Sequence, residues 1–251
     1  MKKVCFIIRD GYDARVIISK LQERNIDAEL TYIIESGSVP RHRKLNRMIR
    51  NQGLFASIIN IFALLVYNHV MLKQMRTICG YKEYPKECEY SYINDVNDDA
   101  CISLIQKKGP DMILTYGTGI LKSDTIKKLG KNIYNIHSSI LPYYRNVHSD
   151  FWAYMDNRKD LIGVTIFKLD AGIDTGDIAL QRSCKLEGMH RLYEYKAENL
   201  KNIPDMVNEF LQKFFCGEIY PMPQEQAIAT IAKTPEFSDI IRFFREEKKL
   251  V

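Results

Sequence analysis

PDMILTYGTGILKSDTIKKLGKNIYNIHSS, residues 110 to 139, reads as strand, short helix, strand. The apolar run 111 to 115 follows the breaker pair Gly109-Pro110, Ser123 can cap a helix reaching about Leu129, and 132 to 136 is again apolar and of strand length. Two buried strands joined through a helix are the repeating unit of a parallel sheet. The alternation extends toward the N-terminus: strand at 3 to 9, helix at 14 to 24, strand at 27 to 34, turn at 37 to 40, a helical stretch from about 43 to 77, strand at 90 to 94 and helix at 99 to 108. In the other direction, GVTIFK (163 to 168) and IALQRS (178 to 183) lie too close for a crossover helix and predict an antiparallel continuation. Residues 189 to 216 predict one long helix, kinked or divided at Pro204, and 238 to 248 a last one. The expected fold is α/β, a Rossmann-like, mostly parallel twisted sheet flanked by helices. The expected division is a catalytic domain at 1–183, with a helical insertion at about 41–77, and a mainly helical C-terminal extension at 184–251.

A hydrophobic content of 46% over 251 residues excludes a disordered chain. The net charge of +5, from 36 basic and 31 acidic residues, is compatible with phosphate-bearing ligands but is no nucleic-acid-binding signature. The six cysteines never approach C-x-x-C spacing, which suits reduced thiols in a cytoplasm. At the N-terminus, MKKVCFIIRDGYD has an apolar run of only five residues before acid at Asp10, a first strand rather than a signal peptide. LFASIINIFALLVY, residues 54 to 67, follows the basic stretch RHRKLNRMIR. Its apolar length of about 14 falls short of the roughly 20 needed to span a bilayer. The expectation is a buried or interface-forming helix without stable membrane insertion, with peripheral membrane contact as the alternative.

The chemistry-bearing residues begin with NIHSS, 135 to 139, at a strand end. Alternate side chains of an extended chain share a face, so Asn135 and His137 would point the same way, with α-carbons about 6.5 to 7 Å apart. Open parallel sheets bind ligands at the carboxyl ends of their strands. The bland reading is a polar pair capping the next turn. A second segment, LDAGIDTGD (169 to 177), has glycines at 172 and 176 that allow a tight or left-handed turn, bringing Asp174 toward His137. A carboxylate beside imidazole orients the ring and supports its cation. The alternatives are a turn whose aspartates only bind backbone amides, or a calcium loop, which would need more oxygen ligands. No His/Cys/Asp cluster has metal-ligand spacing, so no metal is expected.

Together these segments resemble the folate-dependent formyltransferase family. NIHSSILPYYR is similar to the family's Asn-x-His-x-Ser-Leu-Leu-Pro signature, GVTIFKLDAGIDTGDI to its Asp-x-Gly-x-Asp-Thr-Gly-Asp segment, and PDMILTYGTGIL to the strand and loop before the histidine. The resemblance implies a catalytic trio of Asn135, His137 and Asp174 and the donor 10-formyltetrahydrofolate. It places the folate against two loops, Thr118, Gly119, Ile120 and Leu121 in one, and Asp170, Ala171, Gly172 and Ile173 with Asp174 in the other. The residue types suit acyl transfer. An amine attacking a formyl carbon develops an oxyanion, which donors stabilise, and sheds a proton, which imidazole can carry at neutral pH. Departures are Ser138, where the family often has Pro or Gly, and YYRNVHSDFWA after the proline. There His148 and Trp152 are candidates for shaping a different acceptor pocket.

For the acceptor, initiator-tRNA enzymes carry a further β-rich domain, whereas the residues after Gln181 read as helical. Purine-pathway enzymes lack the helical insertion. The NVHSDFWA stretch is most like the branch acting on nucleotide-linked amino sugars, so the expected partners are a nucleotide-sugar substrate and folate, with no nucleic acid, in a homodimer joined by the apolar helix. Initiator methionyl-tRNA, glycinamide ribonucleotide and formyltetrahydrofolate hydrolysis remain alternatives. The lone G-x-G of YGTGIL does not make a nicotinamide site, and no nucleophile elbow supports a serine or cysteine hydrolase.

Overall fold

The computed structural model describes residues 1–37, 41–130, 132–185 and 187–249. Most of the expected turn at 37 to 40, and Leu186 of the expected C-terminal extension, lie outside them. β1 (Lys3–Arg9) is a nearly all-apolar run whose central residues, Val4 to Ile8, are fully buried. A strand buried on both faces must sit inside a sheet. It pairs in parallel with β2 (Glu29–Glu35) on one side and β4 (Met112–Tyr116) on the other. With β3 (Tyr90–Ile93), β5 (Ile133–His137), β7 (Gly163–Lys168) and β8 (Ile178–Ser183), the sheet runs β3-β2-β1-β4-β5-β7-β8. β7 is antiparallel to both β5 and β8, as the short 163–183 segment requires.

Helices cover both faces. α1 (Tyr12–Gln22) and α7 (Leu192–Phe215) pack on one, and α4 (Asp99–Lys108) and α5 (Ser123–Leu129) on the other. α7 is continuous, so Pro204 does not divide it, and its buried residues Leu200, Ile203, Val207 and Phe210 join the sheet's own core. Each such side chain contributes roughly 1.5–3 kcal/mol when fully buried. Ile203→Asp would therefore leave a carboxylate unpaired in the core.

The helical stretch expected at 43 to 77 is two helices, α2 (Arg41–Gln52) and α3 (Leu54–Cys79), divided at Gly53, where φ is 83°. A positive φ suits glycine and ends α2. The expected apolar length of about 14 residues is corrected as well: α3 is one helix of 26 residues, long and apolar enough by length and composition to cross a membrane. One stripe of it, Ala63, Tyr67, Met71, Met75 and Cys79, is nevertheless packed into the protein interior. Its spacing of about four residues is the period of a helix with one face against protein. Strands β6 (Tyr144–Arg145) and β9 (Thr230–Ile231) and helix α6 (Ser149–Met155) were not foreseen. A two-residue pair joins β6 to β9, and α6 follows the histidine loop. α8 (Phe237–Lys248) packs with α3 and α6 around Tyr67, Phe151 and Phe243.

Candidate active site

A cleft of about 850 Å³ opens at the carboxyl ends of β1, β4 and β5. Its walls are the segments at 10–13, 117–121, 135–138 and 146–150, the turn between β7 and β8, and residues of α3 and α7. Asn135 and His137 both line it, as the two-residue period of β5 demands.

Each member of the trio is held by specific partners. The fully buried Thr115, paired with Asn135 across β4 and β5, donates its hydroxyl to Asn135 Oδ1 at 2.7 Å. The amide oxygen is thereby occupied, and the amide NH2 is the end left to face the cleft. His137 Nε2 lies 2.9 Å from the carbonyl oxygen of Tyr144, which can only accept, so this nitrogen carries hydrogen. His137 Nδ1 lies 3.5 Å from Asp174 Oδ2, with both side chains largely buried. An imidazolium here would have an acceptor at each nitrogen. Asp174 Oδ2 also accepts from the Asn146 amide at 2.7 Å, which fixes the carboxylate. The trio thus meets around one cleft.

The loops beside it are pinned by side chains distant from them in the chain. Glu35, fully buried at the end of β2, accepts from Gly119 N at 2.9 Å and Val96 N at 3.2 Å and pairs with Arg9 at 3.0 Å. Asn97 donates to Ile120 O and accepts from Lys122 N. These contacts fix the expected loop Thr118 to Leu121, all of which lines the cleft. Gln224 donates to the carbonyl oxygens of Asp174 and Gly176 at 2.9 and 2.6 Å and accepts from the Arg145 guanidinium. It ties the aspartate loop to the segment after His137.

Of the two reasons expected for the glycines of DAGIDTGD, a tight or a left-handed backbone, the first holds. Neither adopts a left-handed conformation; a Cβ on Gly172 would stand 1.9 Å from Thr175 Oγ1, and one on Gly176 1.7 Å from Lys168 O. The left-handed residue is Asp174 itself, at φ 51°. Asp170, Gly172 and Ile173 line the cleft, whereas Ala171 is exposed and is not part of its wall. Of the two acceptor-side candidates, His148 lines the cleft, but Trp152 does not: its indole donates to Lys233 O at 2.6 Å. Sequence reading missed Asp13, Asp150 and Lys196, which also line the cleft. The cysteines stay out of the wall, and burial pushes the thiols of Cys5 and Cys184 up to about 12, so neither supplies a thiolate. Among the described residues no group of three His, Cys, Asp or Glu side chains could hold a metal ion.

A family model described as formyl transferase matches residues 1–202, which span β1 to the middle of α7 and contain the whole trio. The chain belongs to the formyl transferase family. The methionyl-tRNA formyltransferase of Kosmotoga olearia is 31% identical over 156 residues, covering 61% of this chain and 50% of that protein. The chain spans about half the length of the curated relatives it matches. Among solved structures, glycinamide ribonucleotide transformylase 1 from Symbiobacterium toebii is similar with a TM-score of 0.58 and 15% identity, over 90% of this chain and 95% of that one. An N-formyltransferase from Helicobacter canadensis, in complex with folinic acid and dTDP-3-aminofucose, gives 0.55 and 15%, over 92% and 71%. At such identities the likeness is one of fold.

Proposed function

We propose that this formyl transferase moves the formyl group of 10-formyltetrahydrofolate to the amine of a nucleotide-linked amino sugar. The observation that carries the transfer is the convergence of Asn135, His137 and Asp174 on one cleft, with His137 Nδ1 3.5 Å from Asp174. The amine attacks the formyl carbon, and the Asn135 NH2 donates to the oxygen as it gains charge. His137 takes the ammonium proton through Nδ1, the nitrogen not committed to Tyr144, and Asp174 stabilises the imidazolium that forms; as the tetrahedral centre collapses, the bond from the formyl carbon to N10 of the folate breaks and N10 takes that proton, releasing tetrahydrofolate. Ile120 and Ile173 are exposed apolar residues, one on each wall loop, and suit the faces of a planar pteridine. The fold neighbour from Helicobacter canadensis, solved with folinic acid and an amino-sugar nucleotide, supports both the donor and the acceptor class.

The test is incubation with 10-formyltetrahydrofolate and a panel of amino-sugar nucleotides, reading the mass gain of one CO on the acceptor. Folate turnover without any acceptor would instead mark a hydrolase. Charged initiator tRNA belongs in the panel, because methionyl-tRNA formyltransferases are the curated relatives.

We also infer that α3 joins two copies of the chain. Phe55, Ile58, Phe62 and Leu65 are 78%, 55%, 67% and 63% exposed, and their 3-4-3 spacing is an a/d seam. Such a seam packs against another helix. Light scattering should return twice the monomer mass, and Phe62→Glu should return the monomer. A wild-type monomer would remove this use of α3.

A further inference from the structure

The innermost wall of the cleft carries charge that the transfer step does not use. Lys196 of α7 donates to Asp150 of α6, whose other oxygen accepts from Phe151 N at 2.8 Å. The two remaining N–H groups of Lys196 have no acceptor among the described residues. Asp13, in the first turn of α1, accepts from Tyr116 at 3.4 Å through one oxygen and has no described partner on the other. Tyr116 in turn meets Ser138 at 3.3 Å, so the wall adjoins the residue beside His137. Asp13, His148, Asp150 and Lys196 all line the cleft. Behind them the Tyr67 hydroxyl of α3 is fully buried without a hydrogen-bond partner.

The wall carries one ammonium against two carboxyl groups, and burial pushes that of Asp13 up. Desolvation alone would raise Asp150, but the Lys196 ammonium outweighs it and keeps the carboxylate ionised; Lys196 is held cationic by the same pair. Burial, aided by that ammonium, pushes His148 down, so its imidazole is neutral at neutral pH. A phosphate set here would meet two carboxylates and a lysine already committed to one of them. Unused N–H donors beside an open carboxylate oxygen instead match a hydroxyl, which both accepts and donates.

We propose that Asp13, His148 and Lys196 form the subsite for the acceptor's ring, taking neutral, hydroxyl-bearing carbon next to the reacting amine and leaving any phosphate outside this wall. The subsite rests on the sugar acceptor inferred above. α6 and α7 build the wall, with Ser138 at its junction to the catalytic strand. Asn68 of α3, which also lines the cleft, brings the helical insertion to the same place.

The test uses the full chain, saturating 10-formyltetrahydrofolate and dTDP-linked 3-amino and 4-amino sugars, each with an analogue lacking one ring hydroxyl. Asp13→Asn keeps the shape of the side chain and is expected to raise acceptor KM about tenfold, with kcat reduced less than threefold and folate affinity unchanged. Removing the contacted hydroxyl should cost wild type a similar factor and cost D13N little more. Because removing one partner of a buried ion pair is destabilising, Asp150→Asn with Lys196→Gln, a neutral pair of similar size, is the companion variant, checked by its melting temperature; it should raise KM likewise. An unchanged KM in D13N and in the folded double variant, or a loss confined to kcat or to folate binding, would overturn the subsite while leaving sugar formylation standing. Formylation confined to glycinamide ribonucleotide or charged tRNA, or absent with every acceptor, would remove the sugar acceptor and this subsite with it.

Discussion

Thr115→Val removes one hydroxyl from a fully buried position without changing the side chain's shape, and it isolates the bond that orients Asn135. A net hydrogen bond of this kind is worth about 0.5–1.5 kcal/mol, and leaving the Asn135 oxygen unpaired costs about 1–3 kcal/mol. With the bond, the amide presents NH2 to the cleft; without it, the flipped orientation becomes comparable in energy and presents an oxygen to a developing oxyanion. If the two orientations equalise, the active fraction halves, and a preference for the flipped one lowers it further. The expected kcat therefore falls roughly twofold to tenfold, well short of the 10²–10³-fold loss typical of deleting an oxyanion donor outright. The melting temperature should fall by about 2–4 °C for each kcal/mol lost. Steady-state formyl transfer with saturating folate, paired with calorimetry, reads both. A destabilised variant with wild-type kcat would show that Thr115 does not set the amide, and a loss matching Asn135→Ala would refute the orientation argument.

Gly176→Ala must displace the Lys168 carbonyl, which a Cβ would approach to 1.7 Å. Overpacking of that kind costs about 1–3 kcal/mol, so a melt indistinguishable from wild type would contradict the reason given for the glycine. His148 is held below its ordinary value first by burial and then by the Lys196 ammonium. Below about pH 6.5 the unfolded chain therefore binds more protons there than the native one, and this contribution to stability declines as pH falls. His148→Asn, a residue suited to the left-handed φ of 56°, should flatten the fall in melting temperature between about pH 6.5 and 5; an equally steep profile would exclude His148 as its source.

The parts of the fold that were legible are those where one short segment carries its own signal. β1, β4 and β5 are apolar runs bounded by Gly, Pro or Asp, and β7 and β8 are too close in sequence to be parallel. The shared face of Asn135 and His137 was legible from their spacing of two on a strand, whereas their grouping with Asp174 as a trio came from the resemblance of both segments to the family's motifs. What escaped reading depends on partners distant in the chain. Glu35 resembles any acid at a strand end until Gly119 and Val96 donate to it, and nothing near Lys196 announces Asp150, 46 positions earlier. The division at Gly53 was hidden because apolar and basic helical residues run on either side of a lone glycine. Trp152 looked like part of an acceptor pocket because it lies with His148 in the stretch that departs from the family's sequences, yet α6 carries it toward Lys233 instead.

Asp174→Asn under single-turnover conditions most directly probes the proposed relay. Asparagine tolerates the φ of 51° at this position and keeps the side chain's size, so the turn survives while the charge beside His137 is lost. The rate of formyl transfer from pre-bound 10-formyltetrahydrofolate should fall at least about a hundredfold, the scale of a positioned acid–base group, with folate affinity changed less than threefold. A transfer rate near that of the unmodified chain would mean that the imidazole and carboxylate do not act together on the formyl carbon.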